Sequence, residues 1–274
     1  IIDKADERRG MPTPHRTLAD YHAVQSWIGS STDFGRHGAI LVGDFLFSAA
    51  TAAADEQALA LREDCARAFS RRFADMHAEV ALGQYLDITA EQTPLDPERT
   101  DALSTSDSLE VALHKSAHYS VVHPALLGAI CGASSFDCVA DLLDVLETIL
   151  TPWGLAFQLR DDDLGVFGDP AVTGKPAGDD LREGKRTALL ALTWEASSPA
   201  ERRALTDVLG VAEASAEQIA TATDIVERNG RAAHEAEIAR LVADGDAALE
   251  ASTFDEDARA MLRELCSILT ARRA

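Results

Sequence analysis

Between Phe157 and Thr187 the sequence reads FQLRDDDLGVFGDPAVTGKPAGDDLREGKRT. Three consecutive aspartates, Asp161, Asp162 and Asp163, precede a Gly/Pro-broken stretch with lysines at 175 and 185. Clustered carboxylates suit a divalent cation and lysines suit an anion; a Mg²⁺-bridged polyphosphate needs both. If Phe157–Phe167 is helical, at about 100° per residue Asp161 and Asp162 lie side by side, with Asp163 roughly 200° from Asp161. Asp161 and Asp162 can then share a metal while Asp163 points elsewhere. Position 165 returns to the face of Asp161, but it is Gly. The competing reading is a solvated acidic helix end, the commoner meaning of an acidic triplet standing alone.

The residues that follow favour the ligand. Asp169-Pro170 breaks the helix, and Thr173-Gly174-Lys175-Pro176 makes a tight basic loop. Gly184-Lys185-Arg186-Thr187 sets a second basic cluster at the start of an apolar helix. Neither is a P-loop: each Gly-to-Gly spacing encloses five residues, and Pro176 or Arg186 stands where Ser or Thr should hold magnesium. Two further clusters are ambiguous alone. Asp3 to Arg16, with Arg8 and Arg9, reads as an exposed charged loop. His114 and His118 have a metal-like i, i+4 spacing, but Lys115 stands beside His114 and the Glu of a zincin is missing, so they read as surface or packing residues.

The elements that must position these groups are helices. Val139, Leu142, Leu143, Leu146, Ile149 and Leu150 form one apolar stripe, and Ala258, Met261, Leu262, Leu265, Ile268 and Leu269 repeat the spacing. Thr253 with Glu256 and Ser215 with Gln218 read as capping boxes, and Asn229-Gly230 as a helix stop. Loops are expected at 92–107, 168–184 and 197–199. No run alternates convincingly at period two, so the expectation is a single all-α domain over residues 1–274.

Composition sets limits on partners. Twenty-five Lys+Arg against 46 Asp+Glu give a net charge of −21, with a pI near 4.6. That field repels nucleic acid and anionic lipid, so neither is expected as a partner. It also repels a diphosphate, so an anion site needs local metal ions or a basic cluster. Cys65, Cys131, Cys138 and Cys266 show no zinc spacing and read as reduced core residues of a cytosolic protein. The uncharged stretch Tyr119–Phe136 contains Pro124 and reads as a buried helix region, so no transmembrane segment and no signal peptide are expected.

Taken together and in order, these clusters resemble the trans-type isoprenyl diphosphate synthases, the polyprenyl synthetase family, over nearly the whole chain. FQLRDD-x-LGVFGDPAVTGKPAGDDLREGKRT is similar to the family's second aspartate-rich motif with its lysine loop. Asp3 to Arg9 resembles the end of the first motif, D-D-x-x-D followed by R-R-G-x-P-x-x-H. Lys115-Ser116 matches its Lys-Thr pair, and Gly83-Gln84-Tyr85-Leu86-Asp87 its G-Q-x-x-D segment. The resemblance implies a bundle of long helices around a central apolar cavity, homodimeric and cytoplasmic. It implies Mg²⁺-dependent condensation of isopentenyl diphosphate with an allylic diphosphate through an allylic carbocation. On matching positions, Asp3, Asp161 and Asp162 would hold several Mg²⁺ ions. Arg8, Lys115 and Lys175 would grip the allylic diphosphate, with Lys185 beside them. Arg9 would bind the isopentenyl diphosphate, and Phe157 would pack near its hydrocarbon. The Lys115 carbonyl, Ser116 and Gln158 would stabilise the cation.

Two departures stand out. If Asp3 closes the first motif, its leading aspartates lie upstream of Ile1, and the sequence looks N-terminally incomplete. The third aspartate of the second motif is Gly165. The phrase GDPAVTGKPAGDDLREGKRT resembles bacterial geranylgeranyl-type synthases, implying a twenty-carbon product. Two alternatives are a non-catalytic subunit of a heteromeric synthase and a terpene cyclase. The cyclase lacks support, because Leu181-Arg182-Glu183 breaks its second metal motif.

Overall fold

Two short strands, Glu7–Arg8 (β1) and Met11–Pro12 (β2), pair antiparallel around Gly10, whose φ of +72° suits a residue without a Cβ. The computed structural model describes residues 1–2, 5–8, 10–168, 178–211 and 213–271. They fall into two compact units, Ile1–Leu61 and Arg62–Ala274.

In the first unit, Pro14 starts α1 (Pro14–Val24), where its missing N–H costs no helical bond. Ser30 caps α2 (Ser31–Leu59) by accepting from the Asp33 amide at 3.2 Å. α1 and α2 pack backbone to backbone: a Cβ on Gly35 would overlap the His15 carbonyl oxygen. Buried His22 lies among Trp27 and Phe34, with ring centroids 5.8 and 5.1 Å away. Ile40, Leu41, Phe45, Leu46 and Phe47 of α2 are exposed. Among the described residues, α2, rather than the region 119–136, is long and apolar enough to cross a membrane, on length and composition alone.

The second unit is helical throughout its described residues. It comprises α3 (Glu63–Gln92), a 3₁₀ turn (Thr100–Ala102), α4 (Thr105–Ala112), a π-helical segment (Leu113–Val122) and α5 (His123–Gly132). There follow α6 (Ala140–Phe167), α7 (Asp179–Glu183), α8 (Ala188–Ala196), α9 (Pro199–Thr206), α10 (Ala216–Asn229), α11 (Arg231–Ala251) and α12 (Glu256–Thr270). α6 is central, with the π segment, α11 and α12 packed on it. Its Ile149, Leu150, Trp153, Ala156 and Leu159 are fully buried. Each large apolar side chain so buried stabilises the fold by about 1.5–3 kcal/mol. A second core joins Leu189, Trp194, Leu205, Val208 and Val226. Trp194 Nε1 donates to the Arg99 carbonyl at 3.0 Å, tying down the expected loop after α3.

The Ser215–Gln218 capping box forms with both hydrogen bonds, and Gly230 separates α10 from α11. Three expectations are corrected. Asp255, not Thr253, caps α12, its carboxylate accepting from the Ala258 amide at 2.9 Å. Met261 and Ile268, placed on the inner stripe, are exposed, while Cys266 beside them is buried. Cys138 is exposed and Cys131 half-buried, so only Cys65 and Cys266 are core cysteines.

The α6–α11 contact passes through Gly245, where a Cβ would lie 2.5 Å from Trp153 Cδ1 and 2.9 Å from the Ile149 carbonyl. Gly245→Ala is expected to lower stability by about 1–3 kcal/mol, overpacking outweighing its helix-propensity gain. Gly128 of α5 has nothing within 4 Å of such a Cβ. Gly128→Ala should therefore be neutral or stabilising by up to about 1 kcal/mol. Urea unfolding midpoints of the two variants check the contrast.

Candidate functional site

The π segment lies against α3 so closely that only glycine fits between them. A Cβ on Gly83 would lie 2.6 Å from the His114 carbonyl carbon and 2.7 Å from Lys115 Cα, nearer still to the Lys115 nitrogen. One turn further along α3, buried Asp87 accepts from Lys115 Nζ at 2.5 Å and from Gln84 Nε2 at 3.0 Å. The G-Q-x-x-D residues thus make room for the lysine's backbone and fix its ammonium. One of the three ammonium donors is engaged by Asp87, and the others are available to a ligand. Ser116 follows on the same segment, half-buried.

α6 reaches the π segment through Gly154, where a Cβ would lie 3.1 Å from Ala117 Cβ. One turn beyond Gly154 come Phe157 and Gln158, both half-buried, and then the aspartates. Helical phase separates the triplet as its spacing requires. Asp161 is exposed; Asp162 is buried and accepts from Gln158 Nε2 at 2.8 Å. Asp163 is buried on another face, where Arg231 of α11 donates through Nε at 3.1 Å and Nη2 at 3.4 Å. Asp163 is therefore a structural anion.

Gly165 has a specific reason. A Cβ there would overlap Oδ2 of Asp180, the buried second residue of α7. α7 is flanked by Gly178 (φ +72°) and Gly184 (φ +82°), the left-handed residues that allow so short a helix to turn in and out. Asp180 accepts from Lys185 Nζ at 2.5 Å, and Glu183 forms an ion pair with the same ammonium at 2.8 Å. Burial alone would push the Lys185 ammonium down, but Asp180 and Glu183 together hold its pKa above the usual lysine value. Burial, and then the Asp180 charge, push the Asp162 carboxyl well up; the Gln158 amide and Lys185 pull the other way without compensating.

The hard-oxygen donor set, a buried Asp162 short of positive charge beside exposed Asp161, fits a divalent cation such as Mg²⁺. The structure thus groups Gln158, Asp161 and Asp162 on α6 with Lys185 nearby, and Lys115 and Ser116 on the segment α6 packs against. Arg8 is exposed in β1 of the first unit. Asp3, Arg9 and Lys175 lie outside the described residues. Asp180, Asp87 as the lysine anchor and Arg231 were not foreseen as site residues. The adjacency of Asp179-Asp180 to a motif missing its last carboxylate was a readable signal for the first.

Residues 1–226 match the sequence model of the family described as polyprenyl synthetase. A geranylfarnesyl diphosphate synthase of Aeropyrum pernix is 31% identical over 231 residues, covering 84% of this chain and 63% of that protein. A geranylgeranyl diphosphate synthase of Mycobacterium tuberculosis is 30% identical over 233 residues, 83% of this chain and 61% of the relative. The chain thus spans a little over three-fifths of the length of these curated relatives. Among solved structures, a geranylgeranyl pyrophosphate synthase of Corynebacterium glutamicum, complexed with isoprenyl diphosphate and magnesium, superposes with a TM-score of 0.87. It is 37% identical, with 99% of this chain and 73% of that one covered.

The division of the aspartate triplet is testable without any substrate. Asp163→Asn should cost about 1–3 kcal/mol, because it weakens charged hydrogen bonds from Arg231. Asp161→Asn should leave stability within about 0.5 kcal/mol of wild type. Denaturant unfolding in a chelating buffer measures both.

Proposed function

The chain belongs to the polyprenyl synthetase family, and on that premise we propose that its protein elongates prenyl chains, condensing isopentenyl diphosphate with an allylic diphosphate. The observation carrying the reading is the exposed–buried pair Asp161 and Asp162, set against a segment whose Lys115 is fixed by Asp87. Asp161 and Asp162, with Asp3, would hold Mg²⁺. Bound there, Mg²⁺ would draw off the charge that develops on the leaving diphosphate.

The chain's own residues would do the rest. Lys115, with Arg8 and Lys175, would bind the allylic diphosphate directly, so that cations surround the group that gains charge. Lys185 would offset part of the Asp180 and Glu183 charge beside Asp162. Arg9 would grip the second diphosphate through its planar fork. Gln158, Ser116 and the Lys115 carbonyl would turn oxygen dipoles toward the allylic cation. Phe157 would pack the isopentenyl group, and the apolar interior of the bundle would exclude water from the cation. Diphosphate, once free, would accept the proton that leaves.

A twenty-carbon product is our finer reading, supported by likeness to geranylgeranyl diphosphate synthases. We also infer a cytoplasmic homodimer, in which a second copy covers the apolar outer face of α2, supported by the exposure of Leu41, Phe45 and Leu46. The second functional reading, a non-catalytic subunit of a heteromeric synthase, shares the same fold and differs in activity.

Incubating the full-length protein with Mg²⁺, isopentenyl diphosphate and an allylic diphosphate should give one prenyl diphosphate, its length read by chromatography. Asp161→Ala should slow its formation by about 10²–10³-fold. No product from any allylic primer, in a folded protein that binds Mg²⁺, would favour the subunit reading. Light scattering should give the mass of two chains, reduced to one by Phe45→Glu.

A further inference from the structure

Glu79 of α3 draws three imidazoles onto one carboxylate. Its Oε1 contacts Nδ1 of His114 and Nδ1 of His118, each at 2.6 Å, and its Oε2 contacts Nε2 of His123 at 2.7 Å. Neighbouring imidazole rings meet edge-on, 5.8 Å between centroids for both the 114–118 and 118–123 pairs. Burial would raise the Glu79 carboxyl, but hydrogen bonds from His123, His114 and His118 outweigh it and hold its pKa at about 2. Glu79 thus faces three imidazole nitrogens, two on Oε1 and one on Oε2. None of these residues takes part in the proposed prenyl transfer.

The π segment assembles the cluster. In an α-helix, nine residues turn through about 900°, which would put His123 on the side opposite His114. With i→i+5 bonding and roughly 4.4 residues per turn, nine residues come close to two full turns. The His123 amide donates to the His118 carbonyl, five residues back, so the wide turn closes between these two histidines. His114, His118 and His123 then share one stripe facing Glu79.

We propose that Glu79, His114 and His118 bind a divalent transition metal of the Zn²⁺ class. One donor atom from each lies within 4.8 Å of the others. Two imidazole nitrogens and one carboxylate oxygen select Zn²⁺ or Co²⁺ over Mg²⁺, which prefers oxygen alone. With bonds of about 2.0–2.1 Å the donors stand about 3.3 Å apart, so the metal opens the present 2.6 Å contacts by a fraction of an ångström. On metallation at Nδ1 each ring carries its proton on Nε2. His123 orients the carboxylate through Oε2; its side chain is almost fully buried, and its own Nδ1 meets no partner among the described residues.

His114 is about one-third exposed, which gives solvent access and leaves the fourth coordination position to water. The metal joins α3 to the π segment one turn before Gly83, next to the Lys115–Asp87 pair. It is thus a staple on the backbone that carries Lys115, separate from the oxygen site at Asp161 and Asp162.

The test is a Co²⁺ titration of the full-length protein with Mg²⁺ in excess, followed by visible absorption. One equivalent of an imidazole-bound Co²⁺ chromophore is expected, unchanged in Asp161→Asn and lost in His114→Ala and His118→Ala. His123→Asn should weaken binding about 10–100-fold. Zn²⁺ should displace the colour and raise the melting temperature of wild type but not of His114→Ala, whose circular dichroism verifies folding. Absence of the chromophore in wild type overturns the proposal. So does a chromophore that survives both histidine substitutions, or one lost in Asp161→Asn. Prenyl transfer is not read in any of these measurements, so the outcome is independent of the function proposed above.

Discussion

The close approach of α3 to the π segment at Gly83 is the constraint on which most of the candidate site depends. No side chain larger than hydrogen fits there, because the His114–Lys115 backbone fills the space. Contact at that distance turns one face of α3 into a ruler. Glu79, Gly83 and Asp87 recur every four residues, so an anion lies one turn to either side of the contact. The anion before it collects three histidines, and the one after it fixes Lys115. The lysine's position is therefore set by backbone packing rather than by its own flexible stem, which would otherwise lose rotamer entropy on binding a ligand.

α6 applies the same logic to the aspartates. Three identical residues in a row acquire three environments because a helix turns about 100° at each step. Asp163 meets Arg231 across the α6–α11 packing, Asp162 is buried against Gln158 within the field of Asp180, and Asp161 remains exposed. A carboxylate missing from the line of sequence is present in space, since Asp180 occupies the volume beside Gly165. The Gly and the Asp are complementary: either alone would leave a void or a clash.

The all-α class, the central apolar stripe of α6 and the Ser215–Gln218 cap were legible because each is written in residues within a turn or two of one another. The turning of Asp163 away from the face of Asp161 was legible for the same reason. Thr253 was a reasonable cap locally, yet Phe254 N donates to Ser252 Oγ at 3.4 Å and Arg259 donates to the Ser252 carbonyl at 2.7 Å, holding a turn that delays the helix to Glu256. The π register had no local signature, and reading His114 and His118 as α-helical hid His123 on the wrong face. A partner such as Glu79 lies on another helix, and spacing along one segment carries no information about it. Met261 and Ile268 misled because an apolar stripe states which face prefers burial, not how much of it a neighbour covers.

Charge explains why the described cations are spent as they are. In a chain of net charge −21, an uncompensated lysine beside a carboxylate cluster would have little residence as a free cation. Lys185 pairs with both Asp180 and Glu183, and Lys115 with Asp87. The Lys115–Asp87 pair sums to zero and Lys185 with its two carboxylates to −1, so neither lysine alone offsets the field that would face an incoming anion. The residual deficit sits at Asp162, where burial and the nearby Asp180 make a second negative charge expensive. A divalent cation removes that cost and reverses the local sign. On this electrostatic ground, a metal and an anion would bind to such a site as a unit: the aspartates repel a bare anion, and the ordered lysines favour one that arrives with its cations.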